Sequence, residues 1–514
     1  MKKNLFLITG ILCMAFSGMY AQDDFDKFRK QSRQEFDNFK KKSEQEFRDF
    51  RAKANAEFAE FMSRSWEEFR AFQGIPAPKA PDPVKQPEVE PDKKPTADPI
   101  PFGKITPLSI PEPRPQPVAP IPIPTPTPVP TPTPTPVPTP TPTPTPTPVT
   151  PNPEPVKPGF SFLFFNTDCK VSLDNTLRFS LHDASENSVS QIWKTLSGNP
   201  YDALISDCLS LRNQLNLSDW GYMLLLKTLS EKFLNKDSNE AVLLQMFILT
   251  QSGYKVRIAR IGNHLALLIP FRETLYEYSY TIIGGVKYFV INKSLKGQGL
   301  YIYNHEFPKE QYFSWQTGQP KLAEKLTTPK TLNSIRYPEF KVSVQTNQNL
   351  IDFYNNYPIS SQWDLYMLAG LSQTAKQSLY PVLQRAIAGK SKTEAAGMLL
   401  NFIQTTFAYQ TDDQQFGYER PFFADENFYY PYNDCEDRSI LYAILVKELL
   451  KLEVVLLHYP NHLATAVLFP ENVNGDYLNI EGKKFIVCDP TYIGASIGMA
   501  MDVYKNVSAS VIKL

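Results

Sequence analysis

The residues from about 160 to the C-terminus predict an α+β fold. Helical patterns come first, and short apolar runs typical of strands follow them. This order occurs twice along the chain, and helices followed by a meander of strands are typical of α+β domains. The predicted helices are Asp202–Leu215, Asp219–Phe233, Glu240–Gln251, Trp363–Ala369, Pro381–Ala388, Lys392–Thr405 and Glu436–Leu450. The strand-like runs are YKVRIARI, HLALLIPF, TLYEYSYTII and VKYFVIN in the first half, and EVVLLHY, HLATAVLF and KKFIVCD in the second.

The length and charge of the chain limit its organisation and its partners. With 514 residues the chain is too long for one ordinary domain. Lysine and arginine together number 53, as do aspartate and glutamate, so the net charge gives no reason to expect a nucleic-acid partner. The sequence divides into a signal peptide (1–21), an 11-residue-repeat helix (22–73), a proline- and threonine-rich linker (74–158) and two α+β domains (159–340 and 341–514).

The first residues have the pattern of a secretory signal peptide. Lys2 and Lys3 form a positive start, and the apolar run from Leu5 to Met19 is short for a membrane span of about 20 residues. Ala21 is a suitable last residue before cleavage, and a retained membrane anchor is the alternative. We therefore expect an exported protein that is periplasmic, secreted or on the cell surface, with no transmembrane span after signal removal.

Residues 22–73 contain an 11-residue repeat of paired phenylalanines, most copies of which read x-E-F-x-x-F. This period corresponds to about 3.67 residues per helical turn, so the phenylalanines fall on one stripe of a helix. Such a stripe needs a partner, and twelve basic against twelve acidic side chains favour a self-associating coiled coil over an anionic membrane surface. The repeat therefore predicts a homo-oligomer. A membrane- or wall-associated helix and a solitary solvated helix are the alternatives.

The segment 74–158 predicts an extended spacer. Proline at alternate positions prevents both helical and ladder hydrogen bonding, which favours polyproline II. At roughly 3.1 Å per residue, the segment reaches on the order of 200 Å when fully extended.

Three polar residues in the second half fall where thiol chemistry needs them. Cys435 precedes an apolar helix, His462 opens a strand, and Asp489 ends another strand. A helix N-terminus and a neighbouring imidazolium both favour a thiolate, and a carboxylate fixes the tautomer and orientation of the imidazole. The adjacent Glu436 and Asp437 oppose this effect because their negative charges raise the pKa of a thiol.

The stretches NDCEDRSILYAILVKELL, YPNHLATAVLF and FIVCDPTY together resemble the core of the transglutaminase-like superfamily, including its bacterial cysteine-peptidase type. The resemblance covers about residues 392 to 498, roughly a fifth of the chain. It implies a papain-like α+β core in the C-terminal domain. It also implies that Cys435 is the nucleophile, His462 the general base and acid, and Asp489 the residue that orients the imidazole.

Several of these residues also have an ordinary structural interpretation. Cys435 can be an inert thiol, His462 a core histidine, and Asp489 a turn residue before proline. Gln415 is a candidate donor to an oxyanion hole or a solvated loop residue, and the aromatic run FFADENFYYPY either lines a peptide groove or packs in the core. Cys488 is expected to face the core.

The first half contains an altered echo of the same pattern. Both halves share the tetrapeptide NHLA, and an alignment on it matches His264 with His462 and Asn292 with Asp489. The residue that matches Cys435 is Asn239, which cannot replace a thiolate. We therefore interpret residues 159–340 as a degenerate, catalytically silent transglutaminase-like domain. A chance similarity to a different α+β domain is the alternative.

Two further cysteines of the first half, Cys169 and Cys208, are candidates for a disulfide because the chain is expected to be exported.

The sequence thus predicts an exported cysteine-dependent amide hydrolase or acyltransferase that acts on a protein or peptide. No cofactor and no metal are expected. Hydrolysis is favoured over cross-linking, although the residues do not separate the two reactions. The rival interpretation is a non-catalytic binding or scaffold protein at the cell surface or in the periplasm.

Overall fold

The computed structural model describes residues 41–42, 45–64, 85–86, 159–272, 275–291, 300–314, 318–360 and 362–513. The predicted signal peptide lies outside the described residues, as does the linker apart from 85–86. Of the predicted 11-residue-repeat helix, the structure describes 41–42 and 45–64. None of the described helices is both long enough and apolar enough to cross a membrane.

The described chain is a mixture of helices and strands, which confirms the α+β class at this coarse level. The helices are α1 (45–64), α2 (Glu186–Gly198), α3 (Asp202–Gln214), α4 (Asp219–Phe233), α5 (Asn239–Gln251), α6 (Gln348–Tyr354), α7 (Trp363–Ala369), α8 (Gln373–Ile387), α9 (Lys392–Thr406), α10 (Asp412–Phe416) and α11 (Cys435–Leu445). Short 3-10 helices cover Asn175–Leu177, Ala424–Phe428 and Asp502–Tyr504, and a π-helical turn covers Val446–Leu450.

The strands are β1 (Lys85–Gln86), β2 (Phe160–Phe164), β3 (Thr167–Val171), β4 (Arg257–Ile261), β5 (His264–Pro270), β6 (Tyr280–Ile283), β7 (Val286–Val290), β8 (Leu300–Tyr303), β9 (Lys330–Asn333), β10 (Lys341–Val344), β11 (Ala408–Tyr409), β12 (Tyr432–Asn433), β13 (Val454–Tyr459), β14 (His462–Leu468), β15 (Tyr477–Ile480), β16 (Lys483–Cys488) and β17 (Ser510–Lys513). We call β2–β8 with α2–α5 the first unit, and β9–β17 with α6–α11 the second unit.

The two units contain sheets of the same strand order. The first sheet runs β1-β8-β4-β5-β7-β6 and the second runs β17-β13-β14-β16-β15, and all pairings in both are antiparallel. Apart from the added β1, each strand therefore has a counterpart at the same place. Both sheets follow a helix, α5 or α11. In each, a two-residue turn places His264 opposite Ile261 and His462 opposite Tyr459.

Most predicted elements agree with the structure, and α8 is the clearest exception. The sequence predicted a helix that begins at Pro381, whereas α8 begins after Ser372 and contains Pro381 in its interior. The Ser372 side chain accepts a hydrogen bond from the Ala375 N–H, which is a typical N-cap. Ala375, Leu379 and Leu383 form a buried stripe at i, i+4 and i+8, so packing extends the helix across the proline.

The predicted helix Glu436–Leu450 divides into α11 and the π-helical turn, which ends at Lys451 with a positive φ of 57°. Every residue of α11 is buried, because it packs against α7, α9 and the strands β13 and β14. A helix that is buried on all sides fixes the position of its first residue firmly.

The predicted boundary between residues 340 and 341 falls inside the β9–β10 hairpin. Both strands of this hairpin pack against helices of the second unit, β9 against α9 and β10 against α8. One continuous apolar core extends through both units. The change from one unit to the next therefore comes before Lys330.

The phenylalanine stripe of α1 packs against the first unit. Phe58 is 1% exposed, and its ring lies 4.4 Å from the ring of Trp193. Asn55 is also buried and accepts a hydrogen bond from the Trp193 indole N–H at 3.2 Å. One repeat earlier, Phe47 and Phe50 are exposed. The described part of the stripe therefore has a partner within the chain, and the homo-oligomer stays a prediction.

Candidate active site

Cys435 is the first residue of α11 and is 4% exposed. Its main-chain N–H has no acceptor within the helix, and the positive end of the helix dipole lies at this position. The preceding Asp434 donates its main-chain N–H to the Asp437 carboxylate at 3.2 Å, which satisfies one end of the turn into the helix. This geometry suits a thiol that must carry negative charge.

The structure brings the other two predicted residues together. His462 Nε2 lies 2.8 Å from Asp489 Oδ2, and both side chains are buried. The second oxygen, Asp489 Oδ1, accepts the main-chain N–H groups of Thr491 at 2.9 Å and Tyr492 at 3.2 Å. Both oxygens of the carboxylate are therefore engaged, which fixes the hydrogen bond to the imidazole.

Cys435 is in contact with the His462 ring, and because Nε2 is hydrogen-bonded to Asp489, the nitrogen left for the thiol is Nδ1. His462 Nδ1 is buried and has no hydrogen-bond partner among the described residues. Burial lowers the pKa of His462, but Asp489 and contact with Cys435 raise it by more, so the pKa stands at about 10. His462 therefore lies beside both Cys435 and Asp489 and favours the imidazolium form.

Two polar side chains that the sequence analysis missed hold the three elements in place. Ser439 Oγ, one turn into α11, donates to the Leu463 carbonyl of β14 at 2.7 Å. Gln404 Nε2, on α9, donates to the carbonyls of Asp489 at 3.1 Å and of Tyr492 at 2.8 Å. No local motif in the sequence distinguishes these residues from ordinary helix positions.

Four buried carboxyl groups surround the start of α11: Asp412, Asp434, Glu436 and Asp437. Burial and then mutual repulsion raise the pKa of Asp412 to about 11, and burial is also the largest cause of the rise of Asp434 to about 6. The pKa values of Glu436 and Asp437 are raised well above their usual range for the same reasons. Protonation of Asp412, Glu436 and Asp437 removes part of the repulsion that the sequence predicted against a thiolate, whereas Asp434, with a pKa of about 6, keeps its negative charge at pH 7.

Glu436 is in direct contact with the thiol. As a thiol, Cys435 donates to Glu436 Oε2 at 3.1 Å. The raised pKa favours a protonated Glu436. In that form the Glu436 carboxyl can donate its proton in a hydrogen bond to the Cys435 sulfur, which stabilises a thiolate. Arg438 is also buried and donates to Asn433 Oδ1 and to the Phe407 carbonyl, both at 2.8 Å. Its charge therefore stays at the helix start and opposes the acidic groups.

Three of these four carboxyl groups form a set that can hold a metal ion. One oxygen each from Asp412, Asp434 and Glu436 lie within 4.8 Å of one another. Asp434 Oδ1 and Glu436 Oε1 have no hydrogen-bond partner among the described residues. Carboxylate oxygens suit hard divalent cations, and protons can satisfy the same set. No metal was expected from the sequence, in which Asp412 stands 22 positions before Asp434 and the three residues form no recognisable motif.

The side-chain amide of Gln415 is hydrogen-bonded to the main chain of Tyr432, and its role as an oxyanion-hole donor stays a prediction. Its Nε2 donates to the Tyr432 carbonyl at 3.4 Å, and its Oε1 accepts the Tyr432 N–H at 3.3 Å.

The aromatic run before Cys435 is divided between core and surface. Phe422 and Phe428 are buried, whereas Tyr429 and Tyr432 are exposed.

The corresponding place in the first unit lacks the thiol. Asn239 is the first residue of α5, as Cys435 is of α11. Its side chain donates to the Asn263 carbonyl at 3.0 Å and accepts the Leu265 N–H at 2.8 Å. His264 is exposed, and Asn292 lies outside the described residues.

All four cysteines in the described part of the chain are free thiols. Cys169 and Cys208, considered as a pair from the sequence, are buried and unpaired. Cys488 is fully buried in the core, as predicted.

A cavity of about 420 Å³ lies at the opposite end of the second sheet from the three residues. Its lining includes Lys451, Val455, Ile480 and Phe485, and none of Cys435, His462 or Asp489. The chemistry of the site and this cavity are therefore separate features.

Comparisons of the chain with protein-family models, with curated proteins and with solved structures find no match.

Proposed function

We propose that the chain is an exported thiol enzyme that acts on an amide bond of a protein or peptide, with a papain-like core of the transglutaminase-like cysteine-peptidase type in its second unit. The observation that carries the proposal is the arrangement of Cys435, His462 and Asp489. A buried carboxylate holds one nitrogen of the imidazole at 2.8 Å, and the other nitrogen is on the side of a thiol at a helix start.

The proposed reaction begins from a Cys435 thiolate and a His462 imidazolium, and the thiolate attacks the substrate carbonyl carbon. The C–N bond then breaks, the leaving amine or ammonia takes a proton from His462, and a thioester to Cys435 remains. In hydrolysis, water attacks the thioester and gives a proton to His462, the C–S bond breaks, and the acid leaves as the Cys435 thiolate re-forms beside the imidazolium. A substrate lysine amine in place of water would give a cross-link. Asp489 keeps its negative charge and orients the imidazole throughout.

The proposed role of the first unit follows from its likeness to the second. The shared strand order and the equivalent positions of Asn239 and Cys435 support a degenerate copy that braces the second unit or binds substrate. The exposed Tyr429 and Tyr432, just before Cys435, are candidates to contact an extended peptide.

The burial of the site favours a second candidate, a non-catalytic binding protein. Cys435 is 4% exposed, and His462 and Asp489 are each 2% exposed, so no substrate reaches the sulfur without local movement. In this interpretation both units are scaffolds, and the 11-residue-repeat helix (22–73) and the proline-rich linker (74–158) carry the function.

Alkylation by iodoacetamide at pH 7 separates the two candidates. Cys488 is also buried, at 0% exposure against 4% for Cys435, and serves as an internal control for opening of the fold. We expect mass spectrometry of peptides to show much faster labelling of Cys435 than of Cys488, and loss of this difference in His462→Gln. Equal rates at the two cysteines would remove the enzyme proposal. With casein as a probe substrate, new N-termini would indicate hydrolysis, and released ammonia with new isopeptides would indicate cross-linking.

A further inference from the structure

Tyr504 lies on the segment that returns from Asp489 to the edge strand β17. It is the last residue of the 3-10 helix Asp502–Tyr504. The Asp476 carboxylate contacts the chain on both sides of this helix. This carboxylate accepts the Ala500 N–H at 2.9 Å and pairs with Lys505 at 3.7 Å. The segment therefore has a defined path across the end of the sheet that contains His462.

The tyrosine ring is stacked on the imidazole. The ring centroids of Tyr504 and His462 are 4.8 Å apart and their planes differ by 14°. Tyr459 supports the stack, with its centroid 4.9 Å from that of Tyr504. His462 is buried, Tyr504 is half-buried, and the adjacent Val503 is 70% exposed. Tyr504 therefore forms the layer between the imidazole and the surface.

Hydrogen bonds alone leave the orientation of this imidazole incompletely fixed. Among the described residues, Asp489 accepts the one close hydrogen bond of the His462 ring, at Nε2, and Cys435 makes a looser contact with the ring that leaves Nδ1 without a partner at normal hydrogen-bond distance. A single hydrogen bond fixes one atom of a ring and permits rotation about the bond axis. A parallel aromatic face opposes that rotation and interacts favourably with an imidazolium.

We propose that Tyr504 is a positioning residue for His462, whose stacked ring holds the imidazole so that Nε2 meets Asp489 while Nδ1 faces Cys435. This inference rests on the proposed thiol chemistry of the site. Burial and then the nearby Cys435 and Asp489 raise the pKa of Tyr504, so its hydroxyl is protonated at neutral pH. Tyr504 accordingly acts through its ring and not through a charge.

The test compares Tyr504→Ala with Tyr504→Phe, which keeps the ring. Tyr477→Ala is the matched control, because Tyr477 is exposed on β15 of the same sheet and does not contact His462. In protein labelled with ¹³C at histidine Cε1, we expect the His462 resonance to lose its ring-current shift in Tyr504→Ala and to keep it in Tyr504→Phe. The chain has five histidines, so His462→Gln assigns the signal.

The second readout is the rate of Cys435 alkylation at pH 7. Loss of the stack should weaken the interaction between His462 and Cys435. We expect the reaction to slow about tenfold, which corresponds to one pKa unit, even though the sulfur becomes more exposed. Tyr504→Phe and Tyr477→Ala should react like the wild type. An unchanged or faster rate in Tyr504→Ala, with a reactive wild-type Cys435, would overturn this inference and leave the proposed function intact. A wild-type Cys435 no faster than Cys488 would overturn the proposed function itself.

Discussion

Replacement of Asp489 by asparagine should convert His462 from a buried imidazolium into a neutral imidazole. Asparagine keeps the size of the side chain and can still accept a hydrogen bond, but it removes the negative charge. In the wild type, burial lowers the pKa of His462 while Asp489 and Cys435 raise it to about 10. With the largest opposing contribution removed, burial dominates, and we expect a pKa below the usual 6.5.

The magnitude follows from the two pKa values. At pH 8, a pKa of about 10 leaves His462 about 99% protonated, whereas a pKa below 6.5 leaves it mostly neutral. Because the pKa is raised on folding, the stabilisation is fully present below pH 6.5 and is lost as the pH rises through 10. Between pH 7 and pH 9.5 this loss is about 3 kcal/mol as an upper bound. Lys330, whose pKa burial lowers to about 8, acts in the opposite direction, but its effect cancels between variants.

Histidine ¹³Cε1 spectra recorded from pH 5 to pH 10.5 give the pKa directly, and thermal unfolding at pH 7 and pH 9.5 gives the linked stability. The wild type should lose more thermal stability over this interval than Asp489→Asn. Asp502→Asn is the control, since Asp502 is an exposed acidic residue of the same unit. A His462 that titrates near 6.5 in the wild type, or one whose pKa is the same in Asp489→Asn, would refute the reasoning.

Three further predictions concern the elements around the site. Phe58→Ala should weaken the contact of α1 with the first unit by about 3–5 kcal/mol, so that trypsin cuts within 45–64 sooner, whereas the exposed Phe47→Ala should not. Ser439→Ala removes a buried hydrogen bond between α11 and β14. It should lower the free energy of unfolding by about 1 kcal/mol and slow alkylation of Cys435. The control is Ser378→Ala, which replaces a half-buried helix serine and should leave alkylation unchanged. Glu436→Gln should change the alkylation rate less than about threefold, because glutamine resembles the protonated carboxyl that the raised pKa favours; a large loss would mean that Glu436 acts as an anion.

The sequence was most informative where one local signal dominates. The predicted bounds of α4 and α7 agree residue for residue with the structure, since each has an apolar pattern with clear ends. The start of α8 was wrong because Pro381 is typical of a first helical turn, whereas packing and the Ser372 cap extend the helix upstream. The helix α2 and the β2–β3 hairpin were not predicted, because the apolar residues of α2 are few among polar ones and each strand of the hairpin is only five residues long.

For the candidate site, the order of residues along the chain was sufficient to identify Cys435, His462 and Asp489 as a group. Their contact depends on the curvature of the sheet and on Ser439 and Gln404, whose partners are separated from them by 24 and 85 positions. The raised pKa of Glu436 was also not foreseeable, because it depends first on the burial of Glu436 itself and then on repulsion from neighbouring groups such as Asp434. The sequence identifies the ionisable side chains, but their burial in the fold determines their pKa values and therefore whether they are charged.

The two units suggest how a scaffold makes room for a thiol at this position. In the first unit, the first residue of the helix, Asn239, uses its amide to join the helix to β5 on both sides of His264, through Asn263 and Leu265. In the second unit the link between helix and strand lies one turn further along, where Ser439 donates to the carbonyl of Leu463. The first residue of α11 is then not needed to bond the helix to the strand, so a thiol at this position can face the histidine. A cysteine at position 239 alone would therefore break the link between α5 and β5 without restoring the site, because His264 is exposed.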